Sequence, residues 1–253
     1  MEISKGTPKR AARLAAGILV LTLPWMVAPV PGQAGPAQPE PHHPNELIMV
    51  EARPADAPLP TSDQAAIEAA ATAYVVKTKT LFLKSTATDP VPGGNGRLLS
   101  PARLAVLDRK GSQLQVRLEG WQIDGVPSVI YAARGTRLML AVLDETAMAA
   151  VQRRGAASTG ANGQIWSPVR LSVWIDATGL TTDLDALWRF SATLYQSRCG
   201  ICHVLPEPTR YLAAQWADNL EAMRRYTALT DDQFQLLLGY LQHQAGDGGT
   251  AER

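Results

Sequence analysis

The sequence predicts an α+β protein, with a small SH3-like β-barrel or other β-rich domain first and three helices after it. Two observations carry this. Between residues 74 and 176 short segments alternate apolar and polar residues with turn signals between them, and after Asp183 that alternation gives way to apolar residues at helical spacing. A third observation sets the start of the fold. The first 34 residues have the make-up of an export leader rather than of a folded element.

The leader has a basic beginning (Lys5, Lys9, Arg10, Arg13) and an apolar run from Leu14 to Val30. Small residues stand at Gly32 and Ala34. The pattern fits a signal peptide cut after Ala34 or, at the short edge of spanning length and broken by Pro24, an uncleaved anchor. Either expectation places the remainder outside the cytoplasm, in the periplasm. Residues 35–60 are crowded with proline and read as an extended linker. The adjacent His42 and His43 in that linker read as solvated side chains rather than as a metal site.

The segment "TSDQAAIEAAATAY", with Thr61 or Ser62 as cap, predicts a short helix. The β-rich domain, residues 61–180, continues through "AYVVKTKTLFLKS", "RLAVLDRKG", "QLQVRLEGWQI", "SVIYAA" and "TRLMLAVL". Leu114, Val116 and Leu118 mark one face of the third of these, and Gln113, Gln115 and Arg117 the other. A helix over "DETAMAAVQRRG", ending at Gly155, and a last strand over "IWSPVRLSVWID" complete the domain. Gly120-Trp121 suggests an SH3-like barrel, although a tryptophan in a β core is the plainer account.

Residues 183–245 hold three helical stripes. The first is Leu184, Leu187, Leu194 and Tyr195. The second is Leu212, Trp216, Leu220 and Met223. The third is Phe234, Leu237, Leu238 and Leu241, behind the cap Thr230. So few residues make a very small core, of a size that usually needs a staple or a cofactor. The tail, 246–253, is Gly-rich.

The cofactor signal lies in "SRCGICHVLP". Cys199 and Cys202 are the only cysteines of the 253 residues, and His203 follows at once. C-x-x-C-H is the attachment signature of haem c. Two thiols one helical turn apart form thioethers to the two vinyl groups, and the adjacent imidazole becomes the proximal iron ligand. A thioredoxin-like dithiol lacks its βαβ context, and a zinc site with adjacent Cys and His ligands makes a poor tetrahedron. The helical region thereby reads as a monohaem, three-helix c-type cytochrome domain. Beyond the motif Met223 is the only methionine and His243 the only histidine. Met223 is the expected distal ligand, with His243 or an open iron as alternatives, and Trp216 is expected to pack on the ring.

The charge is balanced, 24 Lys and Arg against 23 Asp and Glu, which gives no sign of nucleic-acid binding. No Ser/His/Asp order, phosphate loop or HExxH accompanies the haem motif, so electron transfer is expected rather than enzymatic catalysis. A haem-based gas or redox sensor with an open sixth position is the alternative.

The stretches "LEGWQIDGVPSVIYAARGTRLMLAVLDETAMAAVQRRG", "IWSPVRLSVWIDATGL" and "LYQSRCGICHVLPEPTRYLAAQWADNLEAMRRYTALTDDQFQLLLGYLQ" resemble the C-terminal part of the pentahaem c-type cytochromes of periplasmic trimethylamine N-oxide and dimethyl sulfoxide reductases. The resemblance runs over roughly residues 98–244. It implies a module that passes electrons to a terminal molybdenum reductase. Those cytochromes also carry a membrane-anchored tetrahaem domain that oxidises quinol. One C-x-x-C-H cannot hold those haems, so a separate quinol-oxidising cytochrome is the implied donor.

Overall fold

Alternating burial builds the sheet. The computed structural model describes residues 57–85, 93–160 and 162–248, and all of them lie in one compact unit. The leader, most of the linker and the last five residues lie outside the described residues.

Helix α1 (Gln64–Ala69) is capped by Asp63, whose carboxylate accepts from Ala66 N at 2.7 Å. Strands β1 (Thr72–Val75), β2 (Lys79–Thr80), β3 (Gly96–Leu98), β4 (Arg103–Lys110), β5 (Gln113–Ile123), β6 (Val126–Ala133) and β7 (Thr136–Leu143) follow. After α2 (Glu145–Ala150) come β8 (Gln152–Arg153), β9 (Ser158–Thr159), β10 (Ile165–Asp176) and β11 (Leu180–Thr181). The path β11-β1-β4-β5-β6-β7-β3-β2 is antiparallel throughout, and β10 lies along β5 for its full length, from Trp166 opposite Ile123 to Asp176 opposite Gln113.

On its other edge β5 is shared. β4 takes residues 113–117 and β6 takes Trp121 and Ile123. Gly120 sits at the handover. A Cβ there would meet the Tyr131 carbonyl at 2.5 Å, so only glycine permits the approach. The inner face carries Leu104, Leu114, Val116, Leu118, Val169, Leu171 and Val173, all buried in one core. Near the start of β10 the outer face has a satellite core of Ile123, Tyr131 and Trp166.

Helices α3 (Leu184–Leu194), α4 (Ala213–Met223) and α5 (Asp231–His243) complete the fold. The expectation of an SH3-like barrel followed by a separate three-helix c-type cytochrome domain is overturned. The fold is dominated by one eleven-stranded sheet, and these few helices are docked on it. Leu187 of α3 and Leu236 of α5 are fully buried with Val76 just past β1. Thr78 N donates to Asp232 Oδ1 at 3.1 Å. Gly239 brings α5 so close to the β3–β4 turn that a Cβ would meet Pro101 Cδ at 2.5 Å. The Asp247 carboxylate accepts from Ala213 N at 2.7 Å while its carbonyl accepts from Thr136 Oγ1 at 3.1 Å, tying α4 to β7. The physical reason for the difference is that an apolar stripe records burial but not what buries it. α5 is buried against the sheet through Leu236 as well as against its helical neighbours through Phe234, Leu237 and Leu241.

Candidate haem-attachment site

The end of α3 loosens before it reaches the cysteines. Ser191, Thr193 and Ser197 each turn a hydroxyl back to the carbonyl four residues earlier, at 2.8, 3.0 and 2.7 Å. Such back-bonding competes with the helical ladder, and Tyr195–Cys199 winds as one π-helical turn. Gly200 follows under constraint. Its N–H donates to Gln196 O at 3.2 Å, and a Cβ at this position would lie 2.5 Å from that same oxygen. The first variable position of the motif is thus fixed as glycine by the turn that presents the cysteines.

Cys199 is half-buried and packs on the helical core with Tyr195 and Trp216, whereas Cys202 is exposed. No disulfide joins them. Burial pushes the Cys199 thiol up from its ordinary value. His203 is exposed, with Nδ1 2.9 Å from Val204 O. The tautomer that donates this hydrogen bond carries its proton on Nδ1 and leaves Nε2 bare for a metal.

The loop after the motif is pinned from the core. Tyr195 Oη donates to Pro206 O at 2.7 Å, and Trp216 Nε1 donates to Pro208 O at 2.8 Å. Burial, followed by the Cys199 and Glu207 charges, pushes the Tyr195 phenol up to about 12, so it keeps its donor proton. Trp216 is buried and meets Tyr195 and Tyr211 edge-on, at 6.1 and 5.1 Å between ring centroids.

The structure brings Cys199 and Trp216 into one cluster. Met223, expected on the inward stripe, ends α4 at 41% exposure while Trp216 and Leu220 are buried. The helix tightens to a 3₁₀ turn at Arg224–Tyr226 immediately afterwards. His243 stands apart from that cluster, stacked on Trp188 at 4.9 Å between ring centroids. Among the described residues no three His, Cys, Asp or Glu side chains form a metal-binding group.

The residues present fit a haem. The donor chemistry is two thiols three positions apart and an imidazole with a bare Nε2. A second observation is independent of it. Of the nine large apolar side chains exposed among the described residues, five fall between 201 and 226: Ile201, Val204, Leu212, Met223 and Tyr226. Apolar side chains left open in this part of the chain are groups that an apolar plate bound there could cover. Sequence reasoning missed the roles of Tyr195 and Gly200, which depend on loop geometry.

Residues 67–180 match the family described as TorC third cytochrome c domain. The chain is 31% identical over 155 residues to the cytochrome c-type protein TorY of Haemophilus influenzae, covering 61% of this chain and 42% of that protein. It is 27% identical over 154 residues to the cytochrome c-type protein TorC of Escherichia coli K12, covering 60% and 40%. To the cytochrome c-type protein TorY of Escherichia coli O157:H7 it is 28% identical over 144 residues, covering 57% and 39%. The chain thus spans about two fifths of the length of these relatives. No solved structure matches it. The family match runs from α1 to β11 and stops before the C-x-x-C-H segment. Among the described residues no helix is long and apolar enough to cross a membrane.

Proposed function

We propose that this chain, kin to the C-terminal region of the TorC-type cytochromes, is a periplasmic monohaem c-type cytochrome. It passes single electrons to or within a respiratory molybdenum reductase system such as a trimethylamine N-oxide or dimethyl sulfoxide reductase. A membrane quinol-oxidising cytochrome is the donor and the molybdenum reductase the acceptor. The observation that carries the reading is the motif segment, with a half-buried Cys199, an exposed Cys202 and a His203 ring whose Nδ1 lies beside Val204 O.

Cys199 and Cys202 hold the cofactor as thioethers and His203 Nε2 is its proximal ligand. When bound, the haem supplies a one-electron iron couple. Val204 O orients the imidazole through Nδ1, and a hydrogen bond there makes Nε2 a better ligand. Trp216 and Tyr195 fix the loop that carries the motif. Met223 is the distal ligand. Its exposure supports this reading, because a thioether consumed by the protein core would be unavailable to iron. A thioether ligand would raise the reduction potential relative to a second imidazole.

The test is an optical redox titration of the exported, haem-loaded protein with and without CO, beside the Met223→Ala variant. The expected result is one covalent haem per chain, a low-spin spectrum with a far-red sulfur–iron band, no CO shift in the wild type and a CO shift in the variant. A wild-type spectrum that is high-spin and shifts with CO would overturn the electron-carrier reading in favour of a sensor.

A further inference from the structure

A second site lies apart from the motif, and none of Cys199, Cys202, His203 and Met223 lines it. Between the outer face of the sheet and helices α3 and α5 runs a cleft of about 660 Å³. Its floor is set by strand register. Ala105 of β4 stands opposite Arg117 of β5, and Glu119 of β5 stands opposite Arg170 of β10. Residues two apart share a face, so Arg103 of β4, Arg117 of β5 and Arg170 of β10 point the same way from three adjacent strands. Arg154, just beyond β8, adds a fourth guanidinium to the wall. In a chain with near-balanced charge, four arginines line one concavity together with a single carboxylate, Glu119.

That carboxylate does not neutralise the wall. Glu119 Oε1 is shared between Arg117 Nε at 3.3 Å and Arg170 Nη2 at 3.1 Å, and it thereby holds these two guanidiniums in place. Arg103 and Arg154 are exposed and have no ion-pair partner among the described residues. The rest of the lining mixes aliphatic groups, Leu138, Leu140 and Leu184 among them, with two indoles. Trp121 rises from β5 and Trp188 from α3, the latter braced by its stack on His243.

We propose that this cleft binds a flat organic acid carrying two carboxylates. Volume decides against a bare inorganic anion, since clefts of roughly 300–1,000 Å³ suit organic molecules. Guanidinium forks match carboxylates in bidentate fashion. The distance from β4 across β5 to β10 is about 10 Å, enough to hold two carboxylates separately. The indole walls suit a planar body between them.

The test is isothermal titration calorimetry on the full haem-loaded chain with isophthalate, benzoate and inorganic phosphate. It is run beside a variant carrying Arg103→Gln and Arg154→Gln, two exposed side chains with no ion pair to lose. The expected result is one saturable isophthalate site per chain, binding by benzoate roughly tenfold or more weaker, and a further loss of at least roughly tenfold for isophthalate in the variant. Absence of saturable isophthalate binding, binding by phosphate at equal strength, or an unchanged variant would each overturn the proposal. Optical spectra of the same samples report the haem separately, so failure here is distinguishable from failure of the electron-transfer reading.

Discussion

Leu236→Ala tests whether the helices and the sheet are one cooperative body. Leu236 is fully buried and lies with Leu187 of α3 and Val76 beside β1, with Tyr74 and Phe190 at the margin. Truncation removes one methine and two methyl carbons from a point where helix and sheet meet. Neither side can collapse readily, because Gly239 already holds α5 at contact distance from Pro101 and Asp232 anchors its first turn to Thr78. The cavity therefore persists, and the cost is about 3 kcal/mol. For a unit of this size that lowers Tm by about 6–12 °C. Hydrogen exchange resolved by mass spectrometry reads where the loss falls. Protection should fall together in peptides from β1, β4 and α5. Loss confined to α3–α5, with the sheet peptides unchanged, would refute the argument and restore an independent helical domain.

The ion pair of Lys79 and Asp176 gives a pH signature. Lys79 is 5% exposed and its Nζ lies 2.6 Å from Asp176 Oδ1. Burial works to raise the Asp176 pKa, but hydrogen bonds from Lys79 and Thr178 and the Lys79 charge outweigh it, so the carboxyl is held below its ordinary value. A depressed carboxyl adds stability above the unfolded value, and that stability is lost as pH falls through the folded one. Urea unfolding should therefore show the difference between wild type and Asp176→Asn fully at pH 7, about 1 kcal/mol because the half-exposed carboxylate is partly screened by solvent, and shrinking below about pH 4. Thr230→Ala removes the α5 capping box, in which Thr230 Oγ1 accepts from Gln233 N at 3.2 Å and Gln233 Oε1 accepts from Thr230 N at 3.0 Å; the expected loss is about 1 kcal/mol in the same assay. Trp216→Phe keeps an aromatic ring but deletes the donor to Pro208 O and part of the buried indole, and should cost about 1–3 kcal/mol in urea unfolding. In haem-free protein, iodoacetamide should label exposed Cys202 faster than half-buried Cys199, as peptide mass mapping would show.

Legibility in the sequence followed how much period each element carries. β5 and β10 were legible because eleven and twelve residues alternate over a buried face. β2, β8, β9 and β11 have two residues each, and two residues define no period. The helix read through to Gly155 stops at Ala150, where Val151 turns extended and Gln152–Arg153 pair with β10 instead. The strand read as the last is followed by β11, which closes on β1. The C-x-x-C-H motif stands out in the sequence because covalent haem attachment demands fixed residues at fixed spacing. The inward orientation expected of Met223 does not hold, because Met223 is the last residue of α4, one turn beyond the buried Leu220, and is 41% exposed there. The arginine wall left no sequence signal at all. Arg103, Arg117 and Arg170 converge only through register across separate strands, and Arg154 joins them from just beyond β8.

The family match covers the sheet and stops short of the cysteines, and the contacts explain how a sheet can matter to a haem segment. The motif loop has no regular structure of its own between Gly200 and Glu207. It is held by Tyr195 at Pro206 and by Trp216 at Pro208. Tyr195 belongs to the turn ending α3, and Trp216 to α4. α3 is seated on the sheet through Leu187, and α4 through the Asp247 bridge to Thr136 of β7. Gln242 of α5 adds a buried bond from its Nε2 to Ala213 O at 3.0 Å, at the first residue of α4. Each hold on the loop thus runs back to a strand within one or two contacts. A rigid, strongly paired sheet resists displacement far better than three short helices alone. A haem carried by the motif would have to keep one position through many cycles of electron transfer, and these contacts would tie that position to the sheet.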